Sequence, residues 1–340
     1  VTKWNDQTVV VTGGAGFIGA NLCARLLDGG AQVICIDNLQ TGRLENLRDF
    51  AHHDRFEFIQ HDVIDPLPRL RLPARSRICR VYHLAGAASP PHYQADPEHT
   101  LLTAVLGTRN MLSLSEQSGA RFFLASTSEV YGDPEVHPQH EDYRGSVNCT
   151  GPRACYDEGK RSAETLAFDF YRARRADVRV ARIFNTYGPK MRSDDGRVVS
   201  NIVCQALSGQ DITIYGDGSQ TRSFCFVDDL IEGLTRLMES DRAAGMPVNL
   251  GNPNELSVRQ LVDLVVDKTS TTSRITFKDL PEDDPRRRRP DISRAQEFLD
   301  WTPQVTLDHG LDATVAWFQA EQHRAAAPLY ADAPLIAAAE

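Results

Sequence analysis

Three valines followed at once by a run of glycines constrain this chain more than anything else in it. Val9-Val10-Val11 has the β-branching and length of a short strand buried on both faces. Gly13-Gly14-Ala15-Gly16-Phe17-Ile18-Gly19 follows with no linker. Asn21 to Leu27 then has helical apolar spacing, Gly29-Gly30 ends it, and Ala31 to Ile36 is a second apolar strand. Strand, glycine turn, helix and strand make a βαβ unit. Such a unit needs a parallel sheet covered by helices on both faces. The pattern continues with strands expected over 55–60, 81–84, 122–126 and 178–183, and helices over 101–117 and 154–174.

The glycine spacing carries a binding function. Gly13 permits a tight turn, Gly16 lets the backbone approach a pyrophosphate, and Gly19 allows close helix–sheet packing, while the helix N-terminus favours phosphate charge. Asp37 closes the second strand about 20 residues beyond the glycines, where a carboxylate meets the adenosine ribose hydroxyls. An aspartate there repels a 2′-phosphate, so the expected cofactor is NAD rather than NADP; Arg43 is the one nearby group able to rescue a phosphate. Asp62, in His61-Asp62-Val63 at the end of the third strand, is placed to reach the adenine amino group. The expected fold class is therefore α/β: a Rossmann-type doubly wound parallel sheet.

After Pro189 the texture changes to longer polar loops punctuated by Gly196, Gly209, Gly216 and Gly218, with short strands such as 212–215. We expect a cofactor domain over 1–188, a smaller, interleaved C-terminal substrate-binding lobe over 189–324, and an Ala-rich tail over 325–340 without function. The chain has 340 residues, 41% of them hydrophobic, enough for a sizeable core. Its net charge of −9 argues against nucleic-acid or anionic-membrane partners. The one basic run, Arg286 to Arg289, is offset by Glu282, Asp283 and Asp284 just before it. Seven cysteines form no C-x-x-C pair, no His cluster supplies zinc spacing, and no metal is expected. They read as reduced thiols, Cys155 included, in a reducing, cytoplasmic compartment. No apolar run of membrane-spanning length and no signal peptide is evident, and the Val at position 1 points to a start further upstream.

Tyr156-Asp157-Glu158-Gly159-Lys160 places a phenol and an ammonium one turn apart on a helix face. A cation there favours phenolate and lowers the tyrosine pKa. Thr127-Ser128-Glu129 follows a strand upstream. With the glycine fingerprint, Thr127 and Tyr156-x-x-x-Lys160 resemble the extended short-chain dehydrogenase/reductases over roughly the whole chain. The stretches 126–134, 151–161, 182–189, 195–201, 216–224 and 288–292 narrow the resemblance to UDP-glucuronate decarboxylases, or UDP-xylose synthases.

The resemblance implies a chemistry. NAD⁺ takes hydride from C4 of UDP-glucuronate while the Tyr156 phenolate takes the C4 hydroxyl proton. Lys160 lowers the Tyr156 pKa and holds the nicotinamide ribose, and Thr127 hydrogen-bonds the same hydroxyl. The C5 carboxylate, now β to a ketone, leaves as CO₂. C5 is reprotonated and the hydride returns. The related 4,6-dehydratases carry an Asp-Glu pair after the threonine, and Ser128 in place of that Asp disfavours dehydration. Glu129 is left to orient the carboxylate or a proton-donating water. Implied cofactor contacts are Gly13, Gly16, Phe17, Ile18, Gly19, Asp37, Asn38, Thr41, Gly42, Asp62, Val63, Leu84 and Ala85 with Tyr156 and Lys160. Arg222 and Arg288 are the pyrophosphate and carboxylate candidates, since guanidinium forks bind such groups bidentately. Asn185 is assigned to the diphosphate, Tyr215 to uracil and Tyr93 to the glucuronate, and Ser128 and Asn201 complete the substrate set. The chain departs from the family at Gly86-Ala87, commonly Cys-Pro, at Ala104, commonly Asn, and at Cys149-Thr150, commonly Pro-Ile. None removes a chemical group from the scheme.

A UDP-hexose(uronate) 4-epimerase shares the same three residues and stays open as an alternative, as does a non-catalytic NAD-binding protein. A homodimer is expected, pairing the Tyr156 helix with that near 101–117 through Leu102, Val105, Leu106, Leu166 and Phe170.

Overall fold

The computed structural model describes residues 4–326 except 6, 71, 73–75 and 281–286. The acidic stretch Glu282-Asp283-Asp284, Arg286 and the tail from 327 lie outside the described residues. Seven strands build the main sheet: β1 (Thr8–Thr12), β2 (Gln32–Asp37), β3 (Phe56–Gln60), β4 (Ile78–His83), β5 (Arg121–Thr127), β6 (Asp177–Ile183) and, late in the chain, β11 (Pro247–Leu250). Their order is β11-β6-β5-β4-β1-β2-β3, with every pairing parallel. The strand order reverses between β1 and β4, and a parallel sheet binds ligands at that switch point.

The three valines show why the sheet is covered on both faces. Val9 and Val11 join one core and Val10 the other, the period-2 alternation of a strand. Val33 and Cys35 of β2 likewise split from Ile34 and Ile36. The helices are α1 (Phe17–Asp28), α2 (Pro90–Ala95), α3 (Pro97–Leu102), α4 (Thr108–Ser118) and α5 (Ala154–Arg172), followed by α6 (Val198–Leu207), α7 (Val227–Glu239), α8 (Val258–Thr269), α9 (Ser293–Leu299) and α10 (Leu307–Ala326). Leu22, Leu26 and Leu234 of α1 and α7 fill the first core, and Met111, Leu112, Ala163 and Ala167 of α4 and α5 the second.

The helix expected over 101–117 is present and continuous, but its register changes inside. α3 and α4 are joined by a π-helical turn at Thr103–Gly107, a register that hydrophobic periodicity does not encode and that is frequent at functional sites. Phe170, assigned above to an outward face, is buried in the second core, and Leu166 packs on that core too. Leu106 is outward, 39% exposed, with Leu101 beside it at 38%.

The remaining strands are short: β7 (Thr186–Tyr187), β8 (Ile212–Tyr215), β9 (Thr221–Ser223), β10 (Cys225–Phe226), β12 (Glu255–Ser257), β13 (Ile275–Lys278) and β14 (Arg287–Arg288). They pair as β10-β7, β12-β9-β14 and β13-β8 beside the carboxyl end of the sheet. Among the described residues no helix is long and apolar enough to cross a membrane.

Candidate active site

A cavity of ≈ 710 Å³ runs from the glycine loop to Arg222 and Arg288. At its first end α1 starts on Gly16, which supplies no side-chain cap, so the helix N-terminus faces the cavity at Phe17, Ile18 and Gly19. Gly13 has φ +70°, and a Cβ there would lie 2.8 Å from the Leu84 carbonyl carbon and the Ala85 nitrogen. A Cβ on Gly19 would lie 2.1 Å from the Gly13 oxygen. The turn and the close packing thus both require glycine.

Asp37 is buried at the end of β2. Its carboxylate accepts from the Ala15 N–H at 2.9 Å and the Leu39 N–H at 2.8 Å. Burial raises its pKa and these N–H groups oppose the rise. Asn38, Thr41, Val63, Leu84 and Ala85 line the same wall. Gly42 does not; it makes room for Asp37, whose Oδ1 would be 2.6 Å from a Cβ there. Asp62 is also off the cavity lining. Its Oδ2 accepts from Asn38 at 2.7 Å and meets His99 Nε2 at 2.8 Å, while Oδ1 takes the Ile64 N–H at 3.0 Å. It therefore orients Asn38 with its oxygens already engaged. Arg43 pairs with Glu45 at 3.6 Å and Glu321 at 3.3 Å, which offsets the charge a 2′-phosphate would need. An uncapped helix end, a glycine cradle and a buried ribose carboxylate fit NAD.

At the sheet's centre β5 ends on Thr127, whose Oγ1 accepts the Glu129 N–H at 3.2 Å and turns the chain into a 3-10 turn, Ser128–Tyr131. Tyr156, in the first turn of α5, lines the cavity together with Thr127. Lys160 lies one turn on, its Nζ 5.9 Å from the Tyr156 ring centroid and donating to the Ala125 carbonyl at 2.9 Å. Burial depresses the ammonium to about 8, with Glu164 opposing. Tyr156 moves opposite to the expectation from its lysine. Burial pushes it up to about 12, Glu129 and Asp157 add to the rise, and Thr127 and Arg197 oppose it. Tyr93 of α2 stacks flat on Tyr156, centroids 5.0 Å apart and planes 3° apart, and its buried hydroxyl has no partner among the described residues.

Glu129 sits between two guanidiniums. Arg153 Nη2 donates to Oε2 at 2.7 Å, Arg288 Nη1 donates to Oε1, and Arg288 Nη2 reaches the Gly132 carbonyl at 3.4 Å. Burial raises the Glu129 pKa, but Arg288 and Arg153 outweigh it and hold the carboxylate below its usual range. Asp157 goes the other way: burial and neighbouring Glu129 push it up to about 7.

Ser128, Asn185, Asn201, Tyr215 and Arg222 all line the far end of the cavity, Tyr215 at its mouth, 41% exposed. Arg153, Arg197 and Asp157 were missed from sequence. Arg153 and Arg197 sit inside the stretches 151–161 and 195–201, and Arg153 lies one turn before Tyr156, a spacing that contained the signal. Asp157 gives none, since burial and the nearness of Glu129, both products of folding, make it unusual.

Residues 10–314 match the family described as GDP-mannose 4,6 dehydratase. UDP-glucuronic acid decarboxylase 1 of Arabidopsis thaliana is 51% identical over 311 residues, covering 92% of this chain and 69% of that protein. Its namesake in Danio rerio is 48% identical over 326 residues, covering 96% and 76%. The chain belongs to the UDP-glucuronic acid decarboxylase family. The fold is shared more widely: UDP-glucose 4-epimerase of Thermotoga maritima, solved with UDP-glucose, superposes with a TM-score of 0.84 at 28% identity, covering 93% of this chain and 100% of that one. UDP-glucuronic acid 4-epimerase of Bacillus cereus, in complex with UDP-glucuronic acid and NAD, gives 0.81 at 26% with the same coverage.

Within this decarboxylase family two of the three departures fall by Lys160 and its neighbour Gly159. Gly86 has φ +135°, and a Cβ there would be 3.8 Å from Lys160 Nζ. Ala104 lies in the π turn, its Cβ 3.1 Å from where a Cβ on Gly159 would stand. Cys149 is exposed.

Proposed function

We propose that this chain converts UDP-glucuronate to UDP-xylose and CO₂, with NAD recycled in each turnover. The observation that carries the reading is one cavity lined by both Thr127 with Tyr156 and Lys160 and the Glu129–Arg288 pair. The first is acid/base chemistry at a hydroxyl, and the second is a fork for a carboxylate.

Gly13, Gly16, Gly19, Asp37, Asn38 and Thr41 hold the dinucleotide, and Lys160 holds its nicotinamide ribose. Bound there, NAD would supply reversible hydride chemistry at C4 of the sugar. Tyr156 takes the C4 hydroxyl proton, guided by Thr127, and later returns it. Tyr93 flanks the sugar. Arg288 orients the C5 carboxylate, which leaves as CO₂ once C4 is a ketone. Glu129, held ionised, orients a water that protonates C5. Overall one proton enters per CO₂ released. Ser128, buried against the cavity, supplies no acid for expelling a C6 hydroxyl. Arg222 and Asn185 take the diphosphate, and Asn201 and Tyr215 the uridine side.

Division at 188/189 is supported by β7, which closes the cofactor half, and by β11, which returns to the main sheet. Exposed Leu101 and Leu106 beside α5 support a homodimer. Seven unpaired thiols support a cytoplasmic setting.

Incubation with NAD and UDP-glucuronate, read by mass spectrometry, tests the function. Loss of one CO₂ is expected. An isomer of equal mass would make the protein a 4-epimerase, and unchanged substrate a binding protein.

A further inference from the structure

We infer that Gln139 is a positioning residue for Arg288: it joins the strap 287–291 to the body of the protein and so sets the reach of the guanidinium into the cavity. The inference rests on Arg288 meeting the sugar carboxylate, as proposed above.

The strap is held from two sides. On one, β14 pairs with β9, Arg288 opposite Arg222. On the other stands Gln139, 1% exposed, in the loop after the 3-10 turn. Gln139 brackets the strap as a strand would. Its N–H donates to the Arg289 carbonyl at 2.9 Å, and its carbonyl accepts the Asp291 N–H at 2.8 Å. The side chain adds the specific part: Oε1 accepts the Arg289 N–H at 2.9 Å, while Nε2 is fixed on the Val136 carbonyl at 2.8 Å. The peptide next to Arg288 is thus clamped by a side chain whose own orientation is locked.

The clamp is tied to the sheet. Asn249 of β11 donates to the Gln139 carbonyl at 2.9 Å and the Asp291 carbonyl at 3.1 Å, and accepts from Tyr131 Oη at 2.7 Å. Arg182 of β6 reaches Tyr131 Oη at 3.1 Å and forks onto Glu164 of α5, which also takes the Ser126 hydroxyl at 2.6 Å. Ser126 precedes Thr127, and Glu164 is one turn from Lys160. A buried, satisfied network of this kind specifies one geometry. It fixes the carboxylate fork relative to the acid/base pair, although Gln139 lies off the cavity lining and touches neither ligand.

Gln139→Met keeps the volume and the backbone bonds but removes the clamp on Arg289. Calorimetry on NAD-loaded protein carrying Tyr156→Phe throughout, so that UDP-glucuronate binds without being turned over, compares it with UDP-xylose, which lacks the carboxylate. Loss of one buried hydrogen bond behind Arg288 should weaken UDP-glucuronate about tenfold and leave UDP-xylose unchanged. Gln139→Glu, which retains the acceptor for Arg289, should recover most of the loss. In an Arg288→Ala background Gln139→Met should add nothing. Equal weakening of both ligands, or effects that multiply in the double variant, would overturn the inference. Were Gln139→Met not to fold, Asn249→Ala frees the strap from the sheet side and must show the same selectivity. An Arg288→Ala variant that does not distinguish the two ligands removes the carboxylate assignment and this inference with it; a selective Arg288→Ala with a non-selective Gln139→Met removes the inference alone.

Discussion

Replacing Arg288 by alanine removes one of the two guanidiniums that flank Glu129. The pair is well shielded, with side-chain exposures of 4% for Arg288 and 16% for Glu129. Breaking a buried pair from one side costs more than the pair contributes, because a charge stays behind. Arg153 remains on Glu129 Oε2 at 2.7 Å, so the loss belongs at the low end of that range, about 3 kcal/mol. At about 2 °C per kcal/mol for a chain of this size, Tm should fall about 6 °C at pH 7. The sign with pH follows from Glu129. Burial raises its folded pKa, and Arg288 and Arg153 more than reverse this. A depressed carboxylate contributes stability above its unfolded pKa, about 4.3, and loses it as pH falls through the folded value. The variant lacks most of that contribution, so its deficit is largest at neutral pH and narrows on acidification. Scanning calorimetry between about pH 2.5 and 8 reads both quantities, since the narrowing falls below the unfolded value of about 4.3. Adding Glu129→Gln should recover part of the loss, since no buried charge is then left half-paired. A deficit under about 1 °C at pH 7, or one independent of pH, would refute the assignment of Glu129 and Arg288 as a coupled buried pair.

Tyr156→Phe should abolish turnover, by a factor of at least about 10², yet leave NAD and UDP binding nearly intact by calorimetry; wild-type turnover would remove Tyr156 as the base. Gly19→Ala puts a Cβ 2.1 Å from the Gly13 oxygen and 2.7 Å from Gly14 Cα; at about 2 kcal/mol for such overpacking, NAD affinity should drop about 30-fold, measured by fluorescence titration. Leu106→Arg should shift a dimer to monomer in light scattering without changing Tm much, and a wild-type chain already monomeric at micromolar concentration would refute the pairing.

What the sequence made legible was whatever depends on local pattern. The strand–glycine–helix–strand start could be read because Val9 to Val11 and Gly13 to Gly19 each satisfy one steric demand. The alternation of Val33 and Cys35 against Ile34 and Ile36 was hidden, since a strand buried on both faces shows no period. The π turn at Thr103–Gly107 was hidden too, because its apolar spacing is that of an α-helix. Lys160 was read through its distance from Tyr156, which suggested a lowered phenol pKa. Burial reverses the sign, and burial is a property of the packed chain. Asp62 was placed by analogy of position; its neighbours Asn38 and His99, the latter distant in sequence, use its oxygens. Gln139 lay in a loop with no pattern at all, and its partners at 249 and 289–291 are joined only by the fold.

The charge balance of the cavity bears on why decarboxylation follows oxidation. The chain carries −9 overall, yet among the described residues Arg153, Lys160, Arg197, Arg222 and Arg288 line the cavity against Asp37 and Glu129. A cleft of one sign concentrates the opposite charge even on an acidic protein, and the diphosphate of a sugar nucleotide is drawn to Arg222. In the proposed reading the sugar carboxylate meets Arg288, which is already held by Glu129. Two carboxylates must then share one fork in a site where burial already pushes Asp157 up to about 7. Loss of CO₂ with uptake of a proton at C5 removes one of these negative charges, so the site favours product over bound substrate on electrostatic grounds. Glu129→Gln separates the two roles of this residue. With the competitor neutral, Arg288 is released, and UDP-glucuronate should bind several-fold tighter. With the water at C5 no longer held by a carboxylate, kcat should fall by about 10². Tighter binding with slower turnover is the expected signature; weaker binding of UDP-glucuronate in this variant would show that Glu129 supports the fork and does not compete for it.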